Sequence, residues 1–391
     1  MKSLTLVAAA ILSAVQLASA QTNQTLAFSG AEGFGQFASG GKGGEFFHVT
    51  TLDDSGAGSF RDAVSKPNRT VVFDVGGIIR LKSNVAVSSD ISLLGQTAPG
   101  DGVMLYGRSV SFSGQKNVIV RYLRFREGIA GDKGKCSVNL SKGSDMIFDH
   151  CSIQWGRWDC LGLTQGSHDV TFQHCIIGEG VDPQRFGSLS DSVTNVTYTH
   201  NLWINNQSRN PKAKGKIQYV NNVVCNWGVC GLVGGHSGAD HFLDVVGNYF
   251  IAGPNSNSRF AGEFTATDHV FQKDNFADTD KDGKLNGREV VAADFGSGEK
   301  APTFVESPSN GLLEKLKIES AQSAVSNVLA HAGCSLHRDA VDARLIDEVK
   351  SLGTRGKISH SEAEVGGPGE LKEVHAPANL KAMDAPGLLM L

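Results

Sequence analysis

The feature that most constrains the fold is a set of short apolar runs that recur at similar intervals between residues 71 and 251. They are rich in β-branched and aromatic residues, and Gly, Asn, Asp and Ser separate them, which is typical of short strands. The runs are VVFDV (71–75), ISLLG (91–95), VIVRYLRF (118–125), MIFDHCSI (146–153), VTFQHCII (170–177), VTYTHNLWI (196–204), IQYVNNVV (217–224) and LDVVGNYFI (243–251). In the last five, Cys151, Cys175, Asn201, Asn222 and Asn248 align at spacings of 24, 26, 21 and 26 residues.

This interval is the length of one turn of a parallel β-helix, in which each strand pairs with its equivalent in the next turn. The sequence therefore predicts an all-β fold, a single-stranded right-handed parallel β-helix. Asn201, Asn222 and Asn248 are expected to stack as a ladder of side-chain amides, about 4.8 Å apart. Cys151 and Cys175 stack likewise, and core thiols are favoured over a disulfide because free cysteine packs as a small hydrophobe. The competing β-sandwich needs tight hairpin turns, which are missing between the runs.

Glycine is unusually frequent, at 47 of 391 residues, against about 7% in an average protein. We expect the excess at the corners of the solenoid, where left-handed backbone favours Gly and Asn. Residues 59–64 predict a short capped helix that covers the N-terminal end of the stack. Residues 320–351, within the C-terminal segment 320–391, predict two amphipathic helices interrupted at Gly333.

The N-terminus has the pattern of a secretory signal. A lysine precedes an apolar run and the small residues Ala18-Ser19-Ala20, which predicts a signal peptide over 1–20. Residues 21–391 are then expected to form one secreted, extracellular β-helix domain. Five N-x-S/T sequons agree with a glycoprotein: Asn23, Asn68, Asn139, Asn195 and Asn206.

Composition excludes several classes of partner. The formal net charge of −4 gives no electrostatic reason to expect nucleic acid or an anionic membrane surface. Seven cysteines in 391 residues are too sparse for a scaffold built on disulfides. No heptad repeat or partner helix is apparent, so we expect a monomer.

Residues 278–289 read DTDKDGKLNGRE and match every position of a calcium-binding EF-hand-like loop. The predicted metal ligands are Asp278, Asp280, Asp282, the backbone carbonyl of Lys284, and Glu289. A solitary loop lacks the paired opening mechanism of calcium sensors, so Ca²⁺ is expected to fasten this insertion to the stack. An acidic surface loop without a metal is the alternative.

A second charged cluster is basic. The segment 208–216, SRNPKAKGK, places four cations between two predicted strands, and Pro211 excludes a helix there. The alternative reading is a solvated surface loop without a specific role.

Several motifs together resemble the secreted fungal pectate lyases of the pectate/pectin lyase superfamily. They are FSGAEGFG (28–35), GQTAPGDGV (95–103), the strand MIFDHCSIQWGRWD (146–159) and SRNPKAKG (208–215), and the likeness covers most of residues 28–370. The family motif R-x-P-x-x-(R/K) matches Arg209, Pro211 and Lys214. The resemblance implies a right-handed parallel β-helix that cleaves pectate, an α-1,4-linked galacturonan, with Ca²⁺ as cofactor.

The resemblance also implies a mechanism. Elimination removes the weakly acidic hydrogen on C5 of galacturonate and expels the glycosidic oxygen on C4, leaving a 4,5-unsaturated uronide. Arg209 matches the family's base, and Lys212, Lys214 and Ca²⁺ would supply the positive surroundings that help it to lose its proton. Lys212, Lys214 and Asp159 are the expected substrate-binding residues.

The sequence departs from many relatives where they hold calcium in the groove. Cys136 stands where they have an acid, and in the pair D-x-x-x-D only Asp159 remains, with Leu163 at the second position. Asp132, Glu179 and Asp182 are nearby acids that would compensate. Two other functions stay open: a β-helical glycoside hydrolase, which needs inward-facing carboxylates, and a non-catalytic polysaccharide-binding protein.

Overall fold

Strands stack on one another between residues 45 and 304 and confirm the predicted parallel β-helix of about nine turns. The computed structural model describes residues 24–376. The predicted signal peptide at 1–20, the Asn23 sequon and residues 377–391 lie outside the described residues. Within the described chain, none of the helices combines the length and apolar character required to cross a membrane.

The strands, in chain order, are β1 (Glu45–Val49), β2 (Arg69–Phe73), β3 (Val75–Arg80), β4 (Val85–Ala86), β5 (Ile91–Leu94), β6 (Val103–Tyr106), β7 (Val110–Ser111), β8 (Lys116–Arg121), β9 (Arg124–Arg126), β10 (Val138–Ser141), β11 (Ser144–Asp149), β12 (Ser152–Gln154), β13 (Asp159–Thr164), β14 (His168–Gln173), β15 (Ile176–Gly178), β16 (Phe186–Thr199), β17 (Leu202–Ile204), β18 (Lys212–Val220), β19 (Val223–Cys225), β20 (Leu232–Val233), β21 (His241–Val246), β22 (Tyr249–Ile251), β23 (Ala261–Gly262), β24 (Asp268–Lys273), β25 (Phe276–Asp278), β26 (Arg288–Glu289), β27 (Thr303–Phe304) and β28 (Val374–His375).

The α-helices are α1 (Phe60–Ala63), α2 (Ala321–His331) and α3 (Ala340–Lys350), and single 3₁₀ turns cover Gly95–Thr97, Ala292–Phe295, Gly298–Lys300, Leu313–Lys315 and Glu362–Val365.

The strands form three faces around a continuous apolar core. The first face contains β4, β7, β10, β13, β20 and β23 with the N-terminal halves of β16 and β18. The second contains β1, β2, β5, β8, β11, β14, β21, β24 and β27 with the C-terminal halves of β16 and β18. The third contains β3, β6, β9, β12, β15, β17, β19, β22 and β25, with β26 and β28 added antiparallel.

The predicted asparagine ladder lies at the corner between the second and third faces. Asn222 Oδ1 accepts from Asn201 Nδ2 at 3.0 Å, and Asn248 Oδ1 accepts from Asn222 Nδ2 at 3.1 Å. Asn275 adds a further rung at 2.9 Å from Asn248, and in the other direction the backbone N–H of Cys175 donates to Asn201 at 2.8 Å. All four amides are fully buried, so each rung satisfies groups that water cannot reach.

The seven cysteines are free thiols, and Cys151 and Cys175 are fully buried at the same corner. The expectation of core thiols rather than a disulfide is therefore confirmed.

The explanation of the glycine excess by corners is only partly right. The corner residues that precede the five aligned positions all have positive φ. Gly247 is a glycine, whereas His150, His174, His200 and Asn221 adopt this conformation with φ between 50° and 55°. Many glycines instead lie where two backbone segments approach closely. At Gly187 an added Cβ would lie 2.4 Å from the carbonyl oxygen of Arg209, so the packing of successive turns requires glycine there.

The three predicted helices form. Phe60 and Ala63 of α1 are buried in the main core, whereas α2 and α3 lie on the outside of the stack. Ser59 caps α1, Ser320 caps α2 and Asp339 caps α3, each by accepting from a backbone N–H of the first turn. The apolar sides of α2 and α3 pack on the third face, where Val328 and Leu345 are buried with residues of β15 to β22.

We expect Asn222→Leu to lower the free energy of unfolding by about 3 kcal/mol, because it leaves buried partners on both neighbouring turns without hydrogen bonds. Urea unfolding of the purified protein measures this. Asn84→Ala is the control, since Asn84 is exposed; an equal effect of the two changes would contradict the structural role of the ladder.

Candidate active site

The first face brings together three of the predicted substrate-site residues from different turns. Asp159 begins β13, Lys212 begins β18, and Arg209 lies in the short segment before β18. Arg209 Nη1 is 3.3 Å from both carboxylate oxygens of Asp159. The guanidinium crosses the intervening turn above the ring of Phe186, with Cζ 4.2 Å from the ring centroid.

The backbone around Arg209 is held from several sides. Its φ of +62° is unusual for a residue other than glycine. The carbonyl oxygen of Arg209 accepts from Ser188 N–H at 2.7 Å, and Asn210 N–H donates to Gly231 at 3.0 Å. The buried amide of Asn206 donates to Asn210 Oδ1 at 2.8 Å. These bonds hold the backbone from which the Arg209 side chain extends, and the side chain itself is held by Asp159 and the Phe186 ring.

The site combines a buried acid with two cations. Burial raises the pKa of the Asp159 carboxyl to about 6, although Arg209 and Lys212 both lower it. Burial and the positive charge of Arg209 lower the pKa of Lys212. The arrangement therefore has positive charge that the single carboxylate does not fully balance, which suits an anionic ligand.

Lys214 lies two residues further along β18 and is more distant from the pair. Its ammonium is 3.1 Å from Asp191 Oδ2, so in this structure it already has an anionic partner. On the other side of Asp159, the indole of Trp158 is 38% exposed. An exposed aromatic face beside charged groups is suited to contact a sugar ring.

The acids near the site differ from those that the sequence indicated. Leu163 lies in the hydrophobic core, so its identity has no bearing on a cation in the groove. Glu179 pairs with Arg344 at 2.8 Å, and Asp182 contacts His360 at 3.0 Å, so neither is free to compensate. Asp132 lies beside Glu127, and its negative charge helps to raise the pKa of the Glu127 carboxyl.

Glu127 is an acid that sequence reasoning missed, because nothing in its local pattern distinguishes it. Its carboxylate is fully buried, and Oε1 has no hydrogen-bond partner among the described residues. Burial raises the pKa of Glu127 to about 7. Burial also raises the pKa of the nearby Cys136 thiol, and the charges of Asp159 and Glu127 raise it further, so this thiol stays protonated.

These donors do not fit a groove calcium site. Asp159 is buried and bonded to Arg209, and Cys136 is a protonated thiol rather than an oxygen ligand. No three acidic, His or Cys side chains in residues 24–376 form a group that could hold a metal ion.

The acidic loop lies elsewhere, at the end of β25 on the third face. Asp280 Oδ1 accepts from Asp282 N–H at 3.2 Å, Asp282 Oδ1 accepts from Lys284 N–H at 2.9 Å, and Gly283 takes φ +81°. Burial raises the pKa of Asp278, and the charge of Asp280 raises it further. The oxygen donors and the turn fit calcium chemistry, whereas the side chains are not gathered around one point.

The fold and the groove together define a parallel β-helix protein with a basic site across neighbouring turns. No profile of a known protein family matches the sequence. The chain is 42% identical over 349 residues to a "Probable pectate lyase C" from Aspergillus terreus, covering 88% of this chain and 82% of that protein. The relative of the same name from Emericella nidulans is 42% identical over 360 residues, covering 92% of this chain and 84% of that protein.

This chain therefore belongs to the pectate lyase family. A solved structure agrees with the fold: a thermostable pectate lyase superposes with a TM-score of 0.58 at 14% identity, covering 81% of this chain and 99% of that chain.

We expect Asp159→Asn to remove a pH-dependent loss of stability. A carboxyl pKa raised from 3.8 to about 6 in the folded protein means that folding favours the protonated acid. This contribution is complete below pH 4 and disappears as the pH rises through 6. Relative to the variant, the wild type should lose about 3 kcal/mol of unfolding free energy between pH 4 and pH 7.5.

Urea unfolding at several pH values measures this difference. Asp191→Asn is the matched control, because Asp191 is a partly exposed carboxylate with a lysine partner. If the unfolding free energy of Asp159→Asn depended on pH as strongly as that of the wild type, the prediction would be wrong, because ionising Asp159 would then not destabilise the folded protein.

Proposed function

We propose that the protein is a secreted lyase that cleaves pectate by β-elimination and so degrades plant cell walls, with Arg209 as the base. The observation that carries the proposal is the guanidinium of Arg209, which lies above the ring of Phe186 and against Asp159, in a chain of the pectate lyase family. The apolar N-terminal segment with its small-residue cleavage site supports secretion.

The charges of the site suit this reaction. Removing the C5 hydrogen places negative charge next to the galacturonate carboxylate, and nearby cations stabilise that charge. Lys212 is the cation next to Arg209. Lys214 joins it once the substrate carboxylate competes with Asp191 for the ammonium.

A guanidinium acts as a base only after it has lost a proton, so a reaction of this kind is expected to need alkaline pH. Arg209 is the arginine placed for this role, with a side chain that is 20% exposed and in contact with the buried Asp159.

We expect Arg209→Ala to lower kcat on polygalacturonate by about a thousandfold, the typical contribution of a positioned base. The ultraviolet absorbance of the unsaturated product measures turnover at alkaline pH in the presence of Ca²⁺. Arg80→Ala is the matched control, because Arg80 is an exposed arginine on the third face, above the ring of Tyr106.

The same assay distinguishes the alternative functions. Reducing ends without absorbance from the wild type would indicate hydrolysis, and neither signal would indicate a protein that only binds polysaccharide. If Arg209→Ala kept its activity, the assignment of Arg209 as the base would be wrong, whereas the lyase function would still stand.

We propose further that the loop 278–289 binds one structural Ca²⁺ through Asp278, Asp280, Asp282, the carbonyl of Lys284, and Glu289. Asp278 supports this because it is 3% exposed and lies beside Asp280 without a cationic partner among residues 24–376. The ion would relieve the repulsion between these carboxylates and draw Glu289 towards the loop.

We expect Ca²⁺ to raise the melting temperature of the wild type by several degrees and a chelator to reverse this, since binding stabilises only the folded state. Asp278→Ala should abolish the calcium-dependent shift while changing turnover much less than stability. Asp347→Asn, an exposed acid on α3, should keep the full shift. An identical melting temperature of the wild type with and without Ca²⁺ would contradict a structural site.

A further inference from the structure

Three polar side chains form a row across consecutive turns beside Arg209. Lys212 pairs in register with Val233, and Val233 with Gly262, so residues near these positions stack along the first face. His236 Nε2 lies 3.2 Å from Lys212 Nζ, and His236 Nδ1 lies 3.4 Å from Glu263 Oε2. The imidazole therefore joins a lysine of the proposed active site to a carboxylate two turns away.

The segment that carries His236 is built to hold this position. The buried carboxylate of Asp268 accepts from Gly235 N–H at 2.8 Å, from His236 N–H at 3.4 Å and from Thr265 N–H at 2.8 Å. One acid thus fastens the backbone next to His236 and the backbone two residues after Glu263. His236 has φ +34°, which an L-residue adopts only when the surroundings impose it.

The contacts of the imidazole determine its tautomer. A lysine ammonium has donors and no acceptor, so Nε2 must be the acceptor in the bond with Lys212. The ring proton then lies on Nδ1, which faces the Glu263 carboxylate. Glu263 holds the ring in the orientation in which its free lone pair points at Lys212.

We propose that neutral His236 is a positioning residue for the elimination, which holds the Lys212 ammonium beside Arg209 where it meets the uronate carboxylate. This inference rests on the proposed lyase function. Without the bond, Lys212 has a long flexible side chain with no other hydrogen-bond partner among residues 24–376. Positioning the ammonium before substrate binds saves the entropy of ordering it in the transition state.

The proposal requires an acceptor at the position of Nε2. A side chain that offers another acceptor there should preserve the arrangement, and a side chain without one should not. Among the described residues, Lys212 and Glu263 are the charged side chains in contact with the ring.

His236→Gln and His236→Ala test the proposal together with the wild type, on polygalacturonate with Ca²⁺ at alkaline pH. We expect His236→Ala to lower kcat/KM about tenfold, the size expected for one hydrogen bond to a charged group. His236→Gln keeps an acceptor near the position of Nε2. It should therefore retain most of the activity, a rescue that a merely structural role of His236 would not give.

His269→Ala is the matched control, because His269 is a partly exposed histidine that contacts Asp240 at 3.0 Å and lies away from Lys212. Equal melting temperatures establish that the variants are folded. Full activity of His236→Ala, or a loss of activity in His236→Gln equal to that in His236→Ala, would overturn the inference while the lyase function stands. A wild type that forms no unsaturated product would overturn the lyase function, and this inference with it.

Discussion

The structure depends on hydrogen bonding between identical positions of successive turns. The buried amides of Asn201, Asn222, Asn248 and Asn275 satisfy one another at a corner where the backbone leaves the sheet and water is absent. Because an unsatisfied buried amide costs more than its bond gains, only the register in which the asparagines align is stable. A shift of one residue would exchange the inward and outward sides of every strand.

That register places the functional groups. Asp159 and Arg209 are 50 residues apart in sequence, but stacking of the strands places them on the same face, two turns apart. Phe186 lies on the turn between them, and the guanidinium packs over its ring to reach Asp159. Lys212, His236 and Glu263 form a second row by the same stacking. The solenoid therefore concentrates charge on one face of a weakly charged chain, and the long axis of that face is suited to a linear polyanion.

The sequence predicted elements better than the directions of side chains. The ladder, the free thiols, the capped helices and the solenoid follow from periodicity and capping patterns, and all of them are present. Leu163 shows the limit of such reasoning, because an alignment of motifs placed it at a metal position while the strand turns it into the core. Glu127 and His236 were missed because their roles come from neighbours on other turns.

The sequence by itself determined the repeat, the core of β-branched residues, the basic segment at 208–216 and the acidic loop at 278–289, since these depend on residues close in the chain. Only the tertiary structure decided that Arg209 lies against Asp159, that Lys214 is paired with Asp191, and that His236 contacts Lys212. The physical reason is that the spacing of turns varies from coil to coil. Which side chains become neighbours is therefore fixed by the pairing of strands and not by distance along the chain.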